Sequence, residues 1–188
     1  MSQSKINQHR TTLLQLARQS IEHSLTTGEK PTINLEDYAD DYLKHNAASF
    51  VTLHLNNQLR GCIGQLEATR PLVIDVAMNA YAAAFSDPRF PPVTEQELPL
   101  IHISISVLTK PQLMHVENEE ALYSALRPGV DGLIIQKGNR RGTYLPSVWE
   151  QLPNPKEFVE YLKRKAGIGE DDNSGMQYWN YQTEYIEE

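Results

Sequence analysis

Residues 49–64 carry the sequence SFVTLHLNNQLRGCIG, which contains two short β-like runs at residues 49–55 and 59–64. Only the Asn-Asn-Gln stretch at residues 56–58 separates them. A short polar connection between two such runs, with asparagines that tolerate a left-handed backbone, is typical of a β-hairpin. The segment therefore predicts an antiparallel strand pair from which the rest of the fold can be worked out.

Alternation along the two strands indicates how they pair. The apolar face holds Val51, Leu53 and Leu55 in the first strand and Leu59, Gly61 and Ile63 in the second. A shift of one residue would turn one set to the opposite face, so burial selects the register that joins both sets. This register requires a three-residue loop over residues 56–58, and it places Thr52, His54, Arg60 and Cys62 together on the other face. A bulge at Gly61 would change that arrangement, because a glycine inside a strand often marks one.

The rest of the chain alternates between helical and strand-like segments. The apolar run at residues 72–85 follows Pro71 and predicts a helix, whereas the period-two alternation of residues 101–108 predicts a strand. Asn154 followed by a proline predicts a further helix start, and Gly167 its end. Since hairpins as well as helices connect the strands, we predict an α+β fold with a mainly antiparallel sheet flanked by helices.

The composition is that of an ordinary globular protein. Of the 188 residues, 40% are hydrophobic and 22% are charged. The net charge of −7 argues against a surface built mainly to bind nucleic-acid phosphates. The single cysteine, Cys62, excludes an intrachain disulfide and a multi-cysteine zinc site. No apolar run approaches the ~18 residues of a membrane span, and no signal-peptide core is present, so we expect a cytoplasmic protein with no membrane association.

Cys62 is the residue with the clearest reactive chemistry. On the predicted hairpin face it lies beside His54 and Arg60, and positive neighbours lower the pKa of a thiol and favour the nucleophilic thiolate. The strand at residues 101–108 contributes His102 on its less apolar face. Two other interpretations stay open: a cysteine that only packs, and a Cys/His metal site, for which spaced ligand motifs are absent. We predict no metal and no cofactor.

Several short motifs follow one another along the chain. They are LRGCIG at residues 59–64, RPL at 70–72, AAAFSDPRFPP at 82–92, ELP at 97–99, SISVL at 104–108, LRPGVDGLI at 126–134, LPSVW at 145–149 and KAG at 165–167. In this order they resemble the AMMECR domain family, also called AmmeMemoRadiSam system protein A. Because the match is collinear over nearly the whole chain, it is more specific than any one motif.

The resemblance implies a single AMMECR-type domain over residues 1–188, with two unequal lobes of which the smaller forms within roughly residues 86–145. The family has no established reaction. Its members are associated with a Memo-like protein and a radical SAM protein, which implies a shared modification pathway. The centre usually proposed for the family corresponds here to Arg60, Gly61, Cys62 and Gly64, with Asp87, Arg89 and Phe90 as a second group. Many members have a further cysteine where this chain has Lys163.

Three functions follow as hypotheses. The first is an enzyme-like subunit in which Cys62 is the nucleophile or substrate-contacting thiol, Arg60 stabilises negative charge and His54 is a base. Its substrate- or partner-binding residues would be Gly61, Gly64, Asp87, Arg89, Phe90 and His102. The second is a non-catalytic adaptor that docks a partner through residues 60–64, with Cys62 only packing. The third is RNA binding through Arg140, Arg141 and residues 163–165. The segment at residues 87–92 is also explained as a helix-terminating turn in which Asp87 pairs with Arg89 and Phe90 fills the core.

Overall fold

The computed structural model describes residues 4–169 and 173–188. The chain divides into two compact units. The first unit holds the chain up to Leu108 together with Glu184–Glu188, and the second holds Thr109–Thr183. The second unit therefore begins and ends later than the smaller lobe expected within roughly residues 86–145. The reason is long-range strand pairing, which keeps residues 101–108 in the sheet of the first unit.

The helices and strands alternate along the chain. The helices are α1 (Lys5–Gln8), α2 (Arg10–Thr27), α3 (Asp41–Lys44), α4 (Leu72–Phe85), α5 (Glu119–Ala125) and α6 (Pro155–Lys165). The strands are β1 (Asn46–Leu55), β2 (Gln58–Gly64), β3 (Arg70–Pro71), β4 (Ile101–Leu108), β5 (Gln112–Leu113), β6 (Gly132–Lys137), β7 (Arg140–Tyr144), β8 (Gln177–Tyr181) and β9 (Thr183–Glu187). None of the helices in the described residues has the length and apolar character of a transmembrane segment.

The first unit is a sheet with helices packed on it. Among its described residues the strand order is β2-β1-β4-β9, and β3 pairs with β1. Helix α4 packs on β1 and on α2. Its alanines Ala77 and Ala80 are fully buried, and such small side chains allow close packing. Helix α4 and strand β4 have the bounds predicted from the sequence, because both segments are long and strongly periodic.

The hairpin of β1 and β2 differs from the prediction at its tip. Asn56 and Asn57 both have positive φ, 51° and 62°, so they form a two-residue turn and the expected three-residue loop is wrong. A bulge between Leu53 and His54 then leaves Arg60 as the extra residue of β2. Beyond this bulge the predicted register holds, with Leu53 opposite Gly61. Left-handed asparagines allow the tighter turn, and the bulge restores the pairing of the apolar faces.

The second unit has its own sheet and its own core. Among the described residues its strand order is β5-β8-β6-β7. Trp149 stacks on Phe158 with ring centroids 3.7 Å apart, and its indole N–H donates to the Asp131 carbonyl at 2.6 Å. Helix α6 begins after Asn154, whose side chain caps it as predicted. The α+β class with antiparallel pairing is confirmed, and the strands of the described residues form two sheets.

Candidate functional site

Cys62 lies on the face of the sheet that is turned away from α4. Its direct partner on β1 is Thr52, whose hydroxyl donates to Cys62 Sγ at 3.2 Å. Thr52 pairs in turn with Ser104 of β4. Cys62 is partly buried rather than enclosed. The register thus places the thiol on a partly accessible polar face, next to a hydroxyl, as predicted for Thr52.

His54 and His102 lie one row further along the same face. They oppose each other directly across β1 and β4. His102 Nε2 is 3.6 Å from a carboxylate oxygen of Glu187 on β9. The two histidines are therefore brought together, but the row of His54 contains Leu59 on β2 rather than Cys62.

Arg60 does not extend over this face. Its guanidinium binds Glu97 in a bidentate manner, with Nε donating to Oε1 at 2.8 Å and Nη2 to Oε2 at 3.1 Å. It also donates to the carbonyls of Pro91 and Pro92, at 2.9 and 3.2 Å. Only 10% of the Arg60 side chain is exposed. The prediction that Arg60 lies on the Cys62 face is wrong, because the bulge interrupts the alternation of β2 at this residue.

Residues 87–97, here called the edge loop, cover the backbone of β2 at Cys62. Because β2 is the last strand of the first sheet, Cys62 has backbone groups that no neighbouring strand can pair. The Cys62 N–H donates to Asp87 Oδ2 at 2.9 Å, and Arg89 Nη2 donates to the Cys62 carbonyl at 3.3 Å. The side chains of Asp87 and Arg89 thus take the place of a neighbouring strand.

Asp87 and Arg89 also pair with each other, as the turn interpretation predicted. Arg89 Nη2 is 2.7 Å from Asp87 Oδ2, and Arg89 Nε donates to Oδ1 at 3.0 Å. Hydrogen bonds from Arg89 hold the pKa of the Asp87 carboxyl well below its usual range, and the Cys62 N–H acts in the same direction. Phe90 is partly buried with the Arg89 guanidinium 5.4 Å from its ring centre, whereas Val93 is the buried apolar residue of this loop. The edge loop therefore carries a fixed carboxylate–guanidinium pair next to Cys62.

Gly61 and Gly64 are explained by close packing. A methyl group on Gly61 would lie 2.1 Å from the carbonyl oxygen of Ala83 in α4. A methyl group on Gly64 would lie 2.3 Å from the ring of Phe50. Neither position has room for a side chain, so the packing of β2 requires both glycines.

A buried polar network around Asp75 was not predicted from the sequence. The carboxylate is fully buried, and it accepts hydrogen bonds from the backbone N–H of Ser49 at 2.8 Å and from Asn79 Nδ2 at 2.9 Å. On its other oxygen it accepts from Gln65 Nε2 at 2.6 Å and from Arg70 Nε at 2.8 Å. The signal available in the sequence was the presence of two polar residues, Asp75 and Asn79, four positions apart in the otherwise apolar helix 72–85. The network ties α4 to β1 and to Gln65, the residue that follows the LRGCIG motif.

Metal ligands and the basic residues at 163–165 are two further candidates considered from the sequence. In the described part of the chain, no group of three or more His, Cys, Asp or Glu side chains is arranged to hold a metal ion. Lys163, predicted as part of a basic surface, is 1% exposed, and its Nζ donates to Glu119 at 2.8 Å and to Asn173 at 2.6 Å. Lys165 donates to the Thr143 carbonyl at 3.0 Å. The lysines at the end of α6, Lys163 and Lys165, thus form hydrogen bonds within the second unit.

Comparison with known proteins places this arrangement in a family. The family model AMMECR1 matches residues 14–186. A Methanothermobacter thermautotrophicus protein is 40% identical over 161 residues, covering 85% of this chain and 83% of that protein. A Saccharolobus islandicus protein is 40% identical over 171 residues, covering 86% and 74% of the two chains. The crystal structure of an uncharacterised Pyrococcus horikoshii protein superposes with a TM-score of 0.86 at 33% identity, covering 96% of this chain and 92% of that one. The chain belongs to the AMMECR1 family.

Proposed function

We propose that this protein is an enzyme-like subunit of a multi-protein modification pathway and that Cys62 is its substrate-contacting thiol. One observation carries the proposal: Cys62 is only partly buried and its Sγ accepts from Thr52, while both backbone groups of Cys62 are held by Asp87 and Arg89. A nucleophile must be accessible and firmly positioned, and this combination meets both conditions.

The positive charge beside the thiol comes from Arg89 rather than from Arg60. The Arg60 guanidinium is almost buried and paired with Glu97, whereas 54% of the Arg89 side chain is exposed and its Nη2 reaches the Cys62 carbonyl. A nearby cation favours the thiolate, which is the nucleophilic form of cysteine. His54 keeps the role of a candidate base on the same face, acting on a substrate bound along the row that it shares with His102.

The pathway partners follow from the family resemblance. We expect a Memo-like protein and a radical SAM protein of the same organism to act with this chain, in the cytoplasm. Within this chain, Cys62, Thr52 and Arg89 supply a nucleophile, a hydrogen-bond donor and a cation.

The decisive test compares Cys62→Ser with Cys62→Ala in cells that lack the native gene. We expect both variants to fold and both to lose pathway activity, because a hydroxyl is a far weaker nucleophile than a thiolate at neutral pH. Thr52→Val is a third variant, and it should slow alkylation of Cys62 without unfolding the sheet. Full pathway activity of Cys62→Ser would eliminate the thiol mechanism.

A non-catalytic adaptor is the second candidate function. The observation that favours it is that Arg60, Asp87 and Arg89 all bind groups within the first unit. Strand β2 therefore presents a rigid surface on which these polar side chains already have hydrogen-bond partners. An adaptor predicts that Arg89→Ala abolishes capture of the partner proteins while Cys62→Ser does not. The enzyme-like function predicts that Cys62→Ser captures partners normally and fails only in turnover.

The RNA-binding hypothesis loses part of its predicted surface. Lys163 is buried against Glu119 and cannot reach a phosphate. Arg140 and Arg141 are exposed, but two arginines on a chain of net charge −7 are a weak electrostatic basis for RNA affinity.

A further inference from the structure

The edge loop is attached to β2 at two separate places. Near its start, Asp87 and Arg89 bind the backbone of Cys62. Near its end, Glu97 accepts the bidentate contact from Arg60 and also hydrogen bonds from the backbone N–H and the hydroxyl of Thr94, at 2.9 and 3.1 Å. Arg60 and Cys62 are two residues apart on β2, so the two attachments act on the same short stretch of strand.

The edge loop depends on these side-chain contacts because its backbone cannot replace them. Pro88, Pro91 and Pro92 have no N–H, so they cannot donate the hydrogen bonds of a strand ladder. Its backbone anchor between the two attachments is the Val93 N–H, which donates to the Ala84 carbonyl of α4 at 2.9 Å. The carbonyls of Pro91 and Pro92 are free to accept, and Arg60 donates to both.

We propose that Arg60 and Glu97 are positioning residues for the Cys62 thiol: their ion pair holds the edge loop so that Arg89 stays against the Cys62 carbonyl. Neither residue touches Cys62 Sγ. Their effect reaches the thiol through residues 87–92, because the Arg60 contacts determine the distance of these residues from β2. This inference rests on the proposed function, because it assigns a purpose to the electrostatic surroundings of Cys62. It also gives Arg60 of the LRGCIG motif a role other than direct contact with substrate.

The charged state of the pair supports its use as a permanent attachment. Hydrogen bonds from Arg60 lower the pKa of Glu97 from 4.5 to about 2, so the carboxylate is ionised throughout the range in which a cysteine titrates. Titration of the pair therefore does not contribute to a change in Cys62 reactivity between pH 6 and about pH 10.

The test is the pH dependence of Cys62 alkylation by iodoacetamide in the full-length protein. The variants are Glu97→Gln, which removes one charge at similar size, and Arg60→Gln, which removes the guanidinium with its charge, with Arg60→Lys as the conservative replacement. We expect the midpoint of the rate profile to rise in both glutamine variants and the reaction at pH 7 to be slower by about threefold to tenfold, because Arg89 is no longer held against Cys62. Arg60→Lys should give an intermediate midpoint, because lysine keeps the charge but not the bidentate contact.

A matched control separates this effect from general loosening of the protein. Arg127→Gln breaks a comparable pair with Asp131 in the second unit, and its midpoint should equal that of the wild type. Hydrogen exchange at the Cys62 amide gives an independent readout, and it should accelerate in Glu97→Gln and not in Arg127→Gln. Unchanged midpoints in folded Arg60→Gln and Glu97→Gln would overturn the proposal, as would equal shifts in the control.

The outcome is distinguishable from failure of the proposed function. If Arg89→Gln raises the midpoint while Arg60→Gln and Glu97→Gln leave it unchanged, the positioning role is wrong and the role of Arg89 stands. If the glutamine variants shift the midpoint but Cys62→Ser retains pathway activity, the positioning role is supported and the thiol mechanism is not.

Discussion

Gly61→Ala is expected to disrupt the packing of β2 against α4. The added Cβ would lie 2.1 Å from the Ala83 carbonyl oxygen, 3.1 Å from its carbonyl carbon and 3.7 Å from its Cα. Ordinary carbon contacts begin near 3.5 Å, so β2 and α4 must separate by roughly 1 Å. The obstacle is helix backbone, which cannot move aside as a flexible side chain does. Overpacking of a core costs about 1–3 kcal/mol, and we expect about 3 kcal/mol here.

The assay is urea unfolding followed by circular dichroism, because both tryptophans lie in the second unit and their fluorescence does not report on α4. Gly28→Ala is the control within the same unit. Gly28 has φ of 74° and no atom within 4 Å of the added methyl, so only backbone strain of about 1–2 kcal/mol opposes that change. A loss below about 1 kcal/mol for Gly61→Ala with an unchanged m-value would refute the packing argument.

Three further predictions concern polar groups that are bound inside the protein. Asp75→Ala leaves Arg70 without its carboxylate and should reduce the free energy of unfolding by about 3 kcal/mol in urea; a loss under 1 kcal/mol would show that solvent replaces the network. Arg60 lowers the pKa of Glu97 to about 2, so its contribution to stability is present above pH 4.5 and disappears as the pH falls toward 2. Glu97→Gln should reduce the dependence of the urea unfolding midpoint on pH over that interval. An unchanged pH dependence would contradict the assignment. Burial raises the pKa of Tyr181 from 10.0 to about 12, so its contribution is present below pH 10 and is lost as the pH rises toward 12. Tyr181→Phe should remove this loss of stability at alkaline pH. The variant also loses the hydrogen bond to the Tyr144 carbonyl, which costs about 1 kcal/mol of the free energy of unfolding. Persistence of the full alkaline loss would contradict the prediction.

Local pattern was sufficient for the elements with strong periodicity. Helix α4 and strand β4 have the predicted bounds because a 14-residue apolar helix and an eight-residue alternating strand bury a face that only one backbone conformation can provide. The pairing of β1 with β2 beyond the bulge was also predictable, since burial of Val51 and Leu53 excludes the other register. The turn at Asn56 and Asn57 was not, because two-residue and three-residue loops are both compatible with this sequence.

Sequence alone was thus enough to identify the family, the α+β class and the face on which Cys62 lies. The direction of the Arg60 side chain was decided by tertiary structure, because one extra residue in β2 turned it toward Glu97, a partner 37 positions away. The same holds for Asp87 and Arg89, whose mutual pairing follows from their spacing but whose contacts with the Cys62 backbone do not. Periodicity reports which side of a strand is buried, and it carries no information about which distant segment covers an unpaired strand edge.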